Sequence, residues 1–290
     1  MARYLDPKND LTFKRIFGEH PELLINFLNA VMPFESDRHI LEIEYLSADL
    51  TPDNPTKKYS LVDVRCRDNY MRQFIVEMQM YWDKAFYSRI VFNAGKAYVR
   101  QLDRAENYHL LQPVYTLAIL NESFDHKTPQ FYHHYQIVNR ENTDEIIPGL
   151  EFVLVELRKF SPETITDRKL AVLWLRFLNE VGENMRILPP ELQENDYIRQ
   201  AAELCEEAAF TPQELAAYEK YWDIIRTEKT LFESAWRKGE AAGRAAGETK
   251  TLERIVVDGK RNGFSLEQIQ SLTKLDLEQI TEILKRDGLI

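Results

Sequence analysis

The chain has 290 residues, 44% hydrophobic and 29% charged, ordinary values for a soluble globular protein with a sizeable core and one or two domains. No apolar run approaches the roughly 20 residues needed to span a bilayer, and MARYLDPKND carries no apolar signal region, so no membrane partner and a cytoplasmic location are expected. The net charge of −10 argues against a nucleic-acid partner unless basic residues cluster locally.

Asn9 or Asp10 can cap a first helix, LTFKRIFG, whose apolar stripe is Phe13, Ile16 and Phe17 and which Gly18 can end. Pro21 opens a second helix through Leu23, Leu24, Phe27, Leu28 and Val31, stopping before Pro33. Residues 38–50, RHILEIEYLSADL, read as the first strand, and TPDNPTKK, by its prolines and asparagine, as a loop.

The stretch 60–80, SLVDVRCRDNYMRQFIVEMQM, reads as two strands and a tight connection. Val62, Val64 and Cys66 alternate with Asp63, Arg65 and Arg67. Phe74, Val76 and Met78 alternate with Gln73, Ile75, Glu77 and Gln79. A carboxylate at a buried strand position is costly unless it is paired or binds a metal. Asp63 and Glu77 on neighbouring strands would repel each other unless a cation sat between them, and Mg²⁺ is commonly held by one or two carboxylates with water and phosphate. Opposed residues share a face, so the two meet only if the loop has an odd number of residues, for example Asp68 to Arg72. A two-residue turn would separate them. The odd loop is expected, with Asn69 as the residue at positive φ. The plainer alternative is a hairpin whose polar residues wet its outer face.

Asp83 to Leu102 reads as a helix, with Phe86, Ile90, Ala94 and Tyr98 on one stripe and Arg89, Asn93, Lys96 and Arg100 on another. From Lys57 to Arg104 there are ten basic and five acidic residues, a local +5 that leaves −15 elsewhere. That field suits a phosphate backbone, with Lys14, Lys84, Arg89, Lys96 and Arg100 as the candidate DNA-binding residues; a solvated basic face is the alternative. PVYTLAILN, QFYHHYQIV and LEFVLVEL read as further strands, the first of them central and covered on both faces. His133 and His134 are adjacent, so on a strand they face opposite ways and do not jointly chelate a metal.

Three blocks in order resemble the Rpn family of recombination-promoting nucleases, transposase-like members of the PD-(D/E)XK nuclease superfamily. They are DPKNDLTFKRIFG, the VDVRCRD…FIVEMQM hairpin and SRIVFNAGKAYVRQL…YTLAILN. The resemblance implies an α/β fold, a PD-(D/E)XK restriction-endonuclease-like core of mixed β-sheet flanked by helices, followed by a helical C-terminal region. It implies metal-dependent DNA endonuclease activity, linked to recombination or defence against foreign DNA. Asp63 and Glu77 would hold Mg²⁺ (or Mn²⁺ or Ca²⁺) with the backbone carbonyl of Met78, and Asp10 is a candidate third acidic ligand. Gln79 stands where the superfamily has lysine, as a catalytic residue without its charge; Lys84, Lys96 or Arg89 would replace that charge. A non-catalytic DNA-binding or interaction protein that kept the nuclease fold is the alternative.

The expected domains are a nuclease-like domain at 1–165, a helical subdomain at 166–236 and, at 237–290, a linker followed by a small helical module. Asp167 to Val181, Asp196 to Ala209 and Pro212 to Trp236 read as helices, the last with a Thr211/Glu214 capping box. Gly239, Gly243 and Gly247 favour a flexible linker, because glycine weakens a helix by ~1 kcal/mol each; a weak helical linker or a close helix contact in a homodimer is the alternative. SLEQIQSLT and DLEQITEIL read as short helices capped by Ser265 and Asp276, acidic enough to suit a protein regulator better than DNA. Cys66 and Cys205, far apart, fit a reducing compartment, and no Cys/His zinc spacing is present.

Overall fold

A computed structural model describes residues 3–35, 37–48, 62–83, 85–103, 107–162 and 169–290. The loop at 51–58 with Lys57 and Lys58, as well as Lys84 and Arg104, lie outside the described residues. The chain divides into two units, Met1–Ile225 and Arg226–Ile290. Among the described residues no helix is long and apolar enough to cross a membrane.

The first unit is built on a six-stranded mixed sheet. Its strands are β1 (Ile43–Tyr45), β2 (Val64–Asp68), β3 (Gln73–Gln79), β4 (Val114–Leu120), β5 (Tyr132–Val138) and β6 (Ile146–Glu156), in the order β1-β2-β3-β4-β6-β5. β1, β2 and β3 form an antiparallel meander, β3, β4 and β6 run parallel, and β5 returns antiparallel on β6. β4 is the central strand. From Thr116 to Leu120 it is buried throughout, as expected of a parallel strand with both faces covered.

Each face of the sheet has its own helical cover. On one side α1 (Asp10–Glu19), α2 (Pro21–Val31), α4 (Lys169–Glu180), α5 (Pro190–Gln193) and α6 (Asp196–Glu203) share a core with Val64, Cys66, Phe74, Val76, Leu117 and Val153. Phe17, Phe27 and Trp174 pack there with centroids 4.7–5.5 Å apart, and the Trp174 indole N–H donates to Asn26 Oδ1 at 2.8 Å. On the other side α3 (Phe86–Val99) covers Ile75 and Val114 with Ala94 and Ala97, and Ala118, Leu120 and Leu154 with Phe86 and Ile90. α3 is the crossover between parallel strands β3 and β4, so it is held against the sheet edge where β3 ends.

The expected first strand at 38–50 contracts to three residues. The Asn29 side chain accepts from Ile40 N–H and donates to Ile40 C=O, both at 2.8 Å, and Asn69 Oδ1 accepts from Leu41 N–H at 3.0 Å. Side-chain amides thus take the backbone groups a ladder would have used. β6 begins four residues earlier than expected, because Ile146 and Ile147 pair with β5 beyond the end of β4.

The β2–β3 connection is a clamp. Arg67 pairs with Gln73, and Asp68 N–H donates to Arg72 C=O at 3.0 Å, leaving Asn69, Tyr70 and Met71 as the loop. The residue at positive φ is Met71 (φ 65°), not Asn69 as expected. Asn69 is occupied in tying down Leu41, and a three-residue hairpin loop places its left-handed residue last. The Asp68 carboxylate accepts from Tyr70 N–H (3.0 Å), Arg72 N–H (2.8 Å) and Arg72 Nε (2.7 Å). The Arg72 guanidinium also donates to Arg38 C=O and lies against Phe34 and Tyr70, 4.5 and 4.9 Å from their centroids. Both partners are buried.

The long helix α7 (Pro212–Arg261) opens on the expected capping box, with Thr211 N–H donating to Glu214 Oε2 at 2.7 Å. It overturns the flexible reading of this stretch in favour of the helical one, because Gly239, Gly243 and Gly247 lie inside continuous helix. The residues around them are strong helix formers, and Glu233–Arg237 and Glu240–Arg244 add i,i+4 ion pairs of about 0.3–0.5 kcal/mol each. Nothing lies within 4 Å of a Cβ built at any of the three glycines, so they serve no close approach within the chain. In the second unit, α8 (Leu266–Thr273) and α9 (Leu277–Arg286) carry full capping boxes at Ser265/Gln268 and Asp276/Gln279. They pack Ile269, Ile280 and Leu284 on Val256.

Removing one member of a buried, hydrogen-bonded ion pair strands the other. Asp68→Ala is therefore expected to lower unfolding free energy by about 3–5 kcal/mol, read from urea denaturation; an unchanged midpoint would show that the clamp contributes nothing.

Candidate functional site

The ladder pairs Val64 with Val76, Arg65 with Ile75 and Arg67 with Gln73. One step further, that register sets Asp63 opposite Glu77. Glu77 lies on the face covered by α3, where Asn93 meets it, and Asp63 stands just before β2 with the Glu77 charge acting on it. Asp63 is held by its neighbour strand, with its Oδ2 accepting from Met78 N–H at 2.6 Å. Glu77 is buried and its Oε1 accepts from the Asn93 side-chain amide at 3.0 Å, from the middle of α3.

The electrostatics follow from burial. Desolvation pushes the Asp63 carboxyl up to about 7, with the charges of Glu77 and Asp10 adding to the rise, against the Met78 N–H bond and the Lys14 charge. Glu77 is also raised, again by burial first, with the Asn93 hydrogen bond and the Arg89 charge opposing. Two neighbouring carboxylates are thus both held away from their charged forms. A cation between them would relieve desolvation and repulsion together.

The structure resolves the roles left open in the first helix. Asn9 is the N-cap of α1, its side chain accepting from Leu11 N–H at 3.0 Å. Asp10 is therefore free to pair with Lys14 (2.7 Å), and both charges act on Asp63. The expected basic stripe on α3 divides. Asn93 turns inward to Glu77. The Arg89 guanidinium donates to Gln79 Oε1 at 2.6 Å and pairs with Asp83 at 3.2 Å. Lys96 lies over the Phe92 ring at 4.8 Å, and Arg100 is the exposed C-cap of α3. Gln79 spends its other end on Tyr81 C=O at 2.7 Å. Asp63, Glu77, Gln79, Arg89 and Asn93 are thus joined across β2, β3 and α3, with Asp10 and Lys14 at the flank. Lys84 lies outside the described residues.

Sequence reasoning missed Asn93 and Asp83 as site residues. The i,i+4 spacing of Arg89 and Asn93 was a usable signal, because a neutral amide between basic residues on one stripe marks where the helix turns toward a buried acid. His133 and His134 answer carboxylates on opposite faces of β5, Glu156 at 2.7 Å and Glu151 at 2.9 Å, so they do not converge.

Among the described residues, no group of three His, Cys, Asp or Glu side chains stands ready to hold a metal ion. The donors at hand, two desolvated carboxylates with a third acidic charge nearby, are of the kind that suits a hard divalent cation keeping much of its water shell.

Neither the curated proteins nor the solved structures yielded a match. A family model described as PD-(D/E)XK nuclease family transposase matches residues 7–235, which span both the sheet and every site residue named above. The mixed sheet flanked by helices, the neighbouring acids Asp63 and Glu77 and that match agree, and a nuclease-type function follows: the chain belongs to the PD-(D/E)XK nuclease family of transposases.

Proposed function

We propose that the chain is a divalent-metal-dependent endonuclease that hydrolyses phosphodiester bonds in DNA. The observation that carries this reading is the placing of Asp63 opposite Glu77 in a desolvated setting that raises both carboxyls. Asp63 and Glu77 would hold Mg²⁺, Mn²⁺ or Ca²⁺, with the Met78 carbonyl as a further ligand and Asp10 contributing charge. When bound, such an ion polarises a phosphoryl oxygen and lowers the pKa of water. The remaining work falls to the chain. The Met78 N–H fixes the Asp63 carboxylate, and Asn93 fixes that of Glu77. Both ends of Gln79 are engaged, so its task is to hold the Arg89 fork beside the acids. Arg89 then supplies the positive charge that lysine supplies elsewhere in the superfamily, in a fork suited to a phosphate. Lys14, Lys96 and Arg100 extend the basic path along which a DNA backbone would lie. A cytoplasmic role in recombination or in defence against foreign DNA is consistent with this chemistry. The helical C-terminal region is a candidate surface for a homodimer or a protein regulator.

A second reading, a nuclease fold retained for DNA binding or protein interaction, is favoured by the engaged Gln79 and the absence of lysine there. Metal binding separates the two. For the endonuclease, Mg²⁺ or Mn²⁺ at a hundredfold excess over Kd should stabilise the protein by about 2.7 kcal/mol. Differential scanning fluorimetry should show that shift in the wild type and none in Asp63→Asn or Glu77→Gln; no shift in the wild type would favour the interaction protein.

Supercoiled plasmid should be nicked or linearised by the wild type with divalent metal, while Asp63→Ala and Glu77→Ala lose activity; full activity in either variant would exclude the assignment. Arg89→Ala should lower the cleavage rate by about 10²–10³, the usual cost of removing one preorganised electrostatic donor. Arg89→Lys should recover part of it, and equal rates for all three proteins would remove Arg89 from the site.

A further inference from the structure

Beyond Gln79 the chain enters an aromatic cluster that the nuclease reading does not use. Trp82 and Phe124 stack with centroids 4.8 Å apart at 28°. Tyr87, from the first turn of α3, stands nearly perpendicular to both, at 5.0 and 5.8 Å. Tyr135 on β5 meets Tyr87 at 6.4 Å and 76°. The cluster is continuous with the candidate site, since the Arg89 guanidinium lies 5.3 Å from the Phe86 ring, which packs on Trp82 at 5.2 Å.

This cluster is more than a lid on the core. Tyr87 and Tyr135 are each 40% exposed, while Phe86 beneath them is fully buried. It is also held firmly. The buried Glu156 carboxylate bonds Phe124 N–H (2.9 Å), the His133 ring (2.7 Å) and Lys159 Nζ (2.9 Å), which anchors two sides of the cluster to β6. Those partners also compensate the carboxylate's charge. Preorganised rings with open surface, next to an arginine, are the means by which proteins hold unstacked bases.

We propose that Trp82, Tyr87, Phe124 and Tyr135 form a stacking platform for an unpaired base of single-stranded or locally opened DNA bound beside Asp63 and Glu77. The proposal rests on the nuclease reading for the nature of the ligand. A base in a duplex is stacked on both sides and offers no free face, so the platform selects DNA with unpaired nucleotides.

The test uses full-length Asp63→Asn protein, which the nuclease reading expects to hold DNA without cutting it. A single-stranded oligodeoxynucleotide of about 16 nucleotides carrying 2-aminopurine reports stacking by quenching. The same sequence as a duplex is compared at one salt concentration. The single strand is expected to bind more tightly and be quenched. Tyr87→Ala and Tyr135→Ala, each added to Asp63→Asn, should weaken binding by about fivefold or more with the thermal midpoint retained, and Tyr87→Phe should restore it. Equal binding of duplex and single strand, or quenching that survives both alanine variants, overturns the platform. Plasmid cleavage by the wild type is measured in parallel. Cleavage without single-strand preference removes the platform alone; quenching without cleavage removes the nuclease reading and keeps the platform.

Discussion

The buried ion pair of Asp68 and Arg72 is the constraint on which the candidate site depends. It closes the β2–β3 hairpin around a three-residue loop, and the loop sets the register of both strands. Side chains alternate along a strand, so a slip of one residue would take Glu77 out of line with Asp63. The arginine is enclosed by Phe34 and Tyr70, which leaves it little room to release the carboxylate. A charged pair buried at a hairpin tip adds little net stability beside what a hydrophobic replacement would give. Its contribution here is to exclude the neighbouring registers.

With register set, the strain of the site is electrostatic. Asp63 and Glu77 are each disfavoured as anions by loss of water, and the Glu77 charge makes Asp63 worse. Hydrogen bonds from Met78 and Asn93 soften this without removing it. The fold tolerates the arrangement because the surrounding sheet is otherwise well compensated. The aromatic core of α1, α2 and α4 on the opposite face contributes the burial that such a site costs.

α3 ties the parts together. Its buried stripe of Phe86, Ile90, Ala94 and Ala97 docks it on the parallel strands. That docking sets the rotation of the helix, and the rotation decides what the polar positions do. Arg89 and Asn93 reach Gln79 and Glu77, while Tyr87, two residues before Arg89, joins the aromatic cluster with Phe124 and Tyr135. One helix thus serves the paired acids and the rings beside them.

Local chemistry alone determined much of this protein. Period-two alternation marked the hairpin, apolar runs marked β4 and β6, and capping residues marked α8 and α9, because each signal is carried by residues close in sequence. Asp63 and Glu77 stood out because acids interrupt otherwise apolar strands. What sequence left open were choices between neighbours with similar local preferences. Asn9 and Asp10 can both cap a helix, and Asn69 is a better left-handed residue than Met71 in isolation. The glycine-punctuated stretch weighs against helix by propensity, yet it lies within a 50-residue helix. Tertiary structure decided these. It gave Asn69 another hydrogen bond, turned Asn93 inward, set Arg89 on Gln79, and brought Trp82, Tyr87, Phe124 and Tyr135 together from four segments. Contacts between residues far apart in the chain depend on packing and register, and neither is written in the spacing of a single segment.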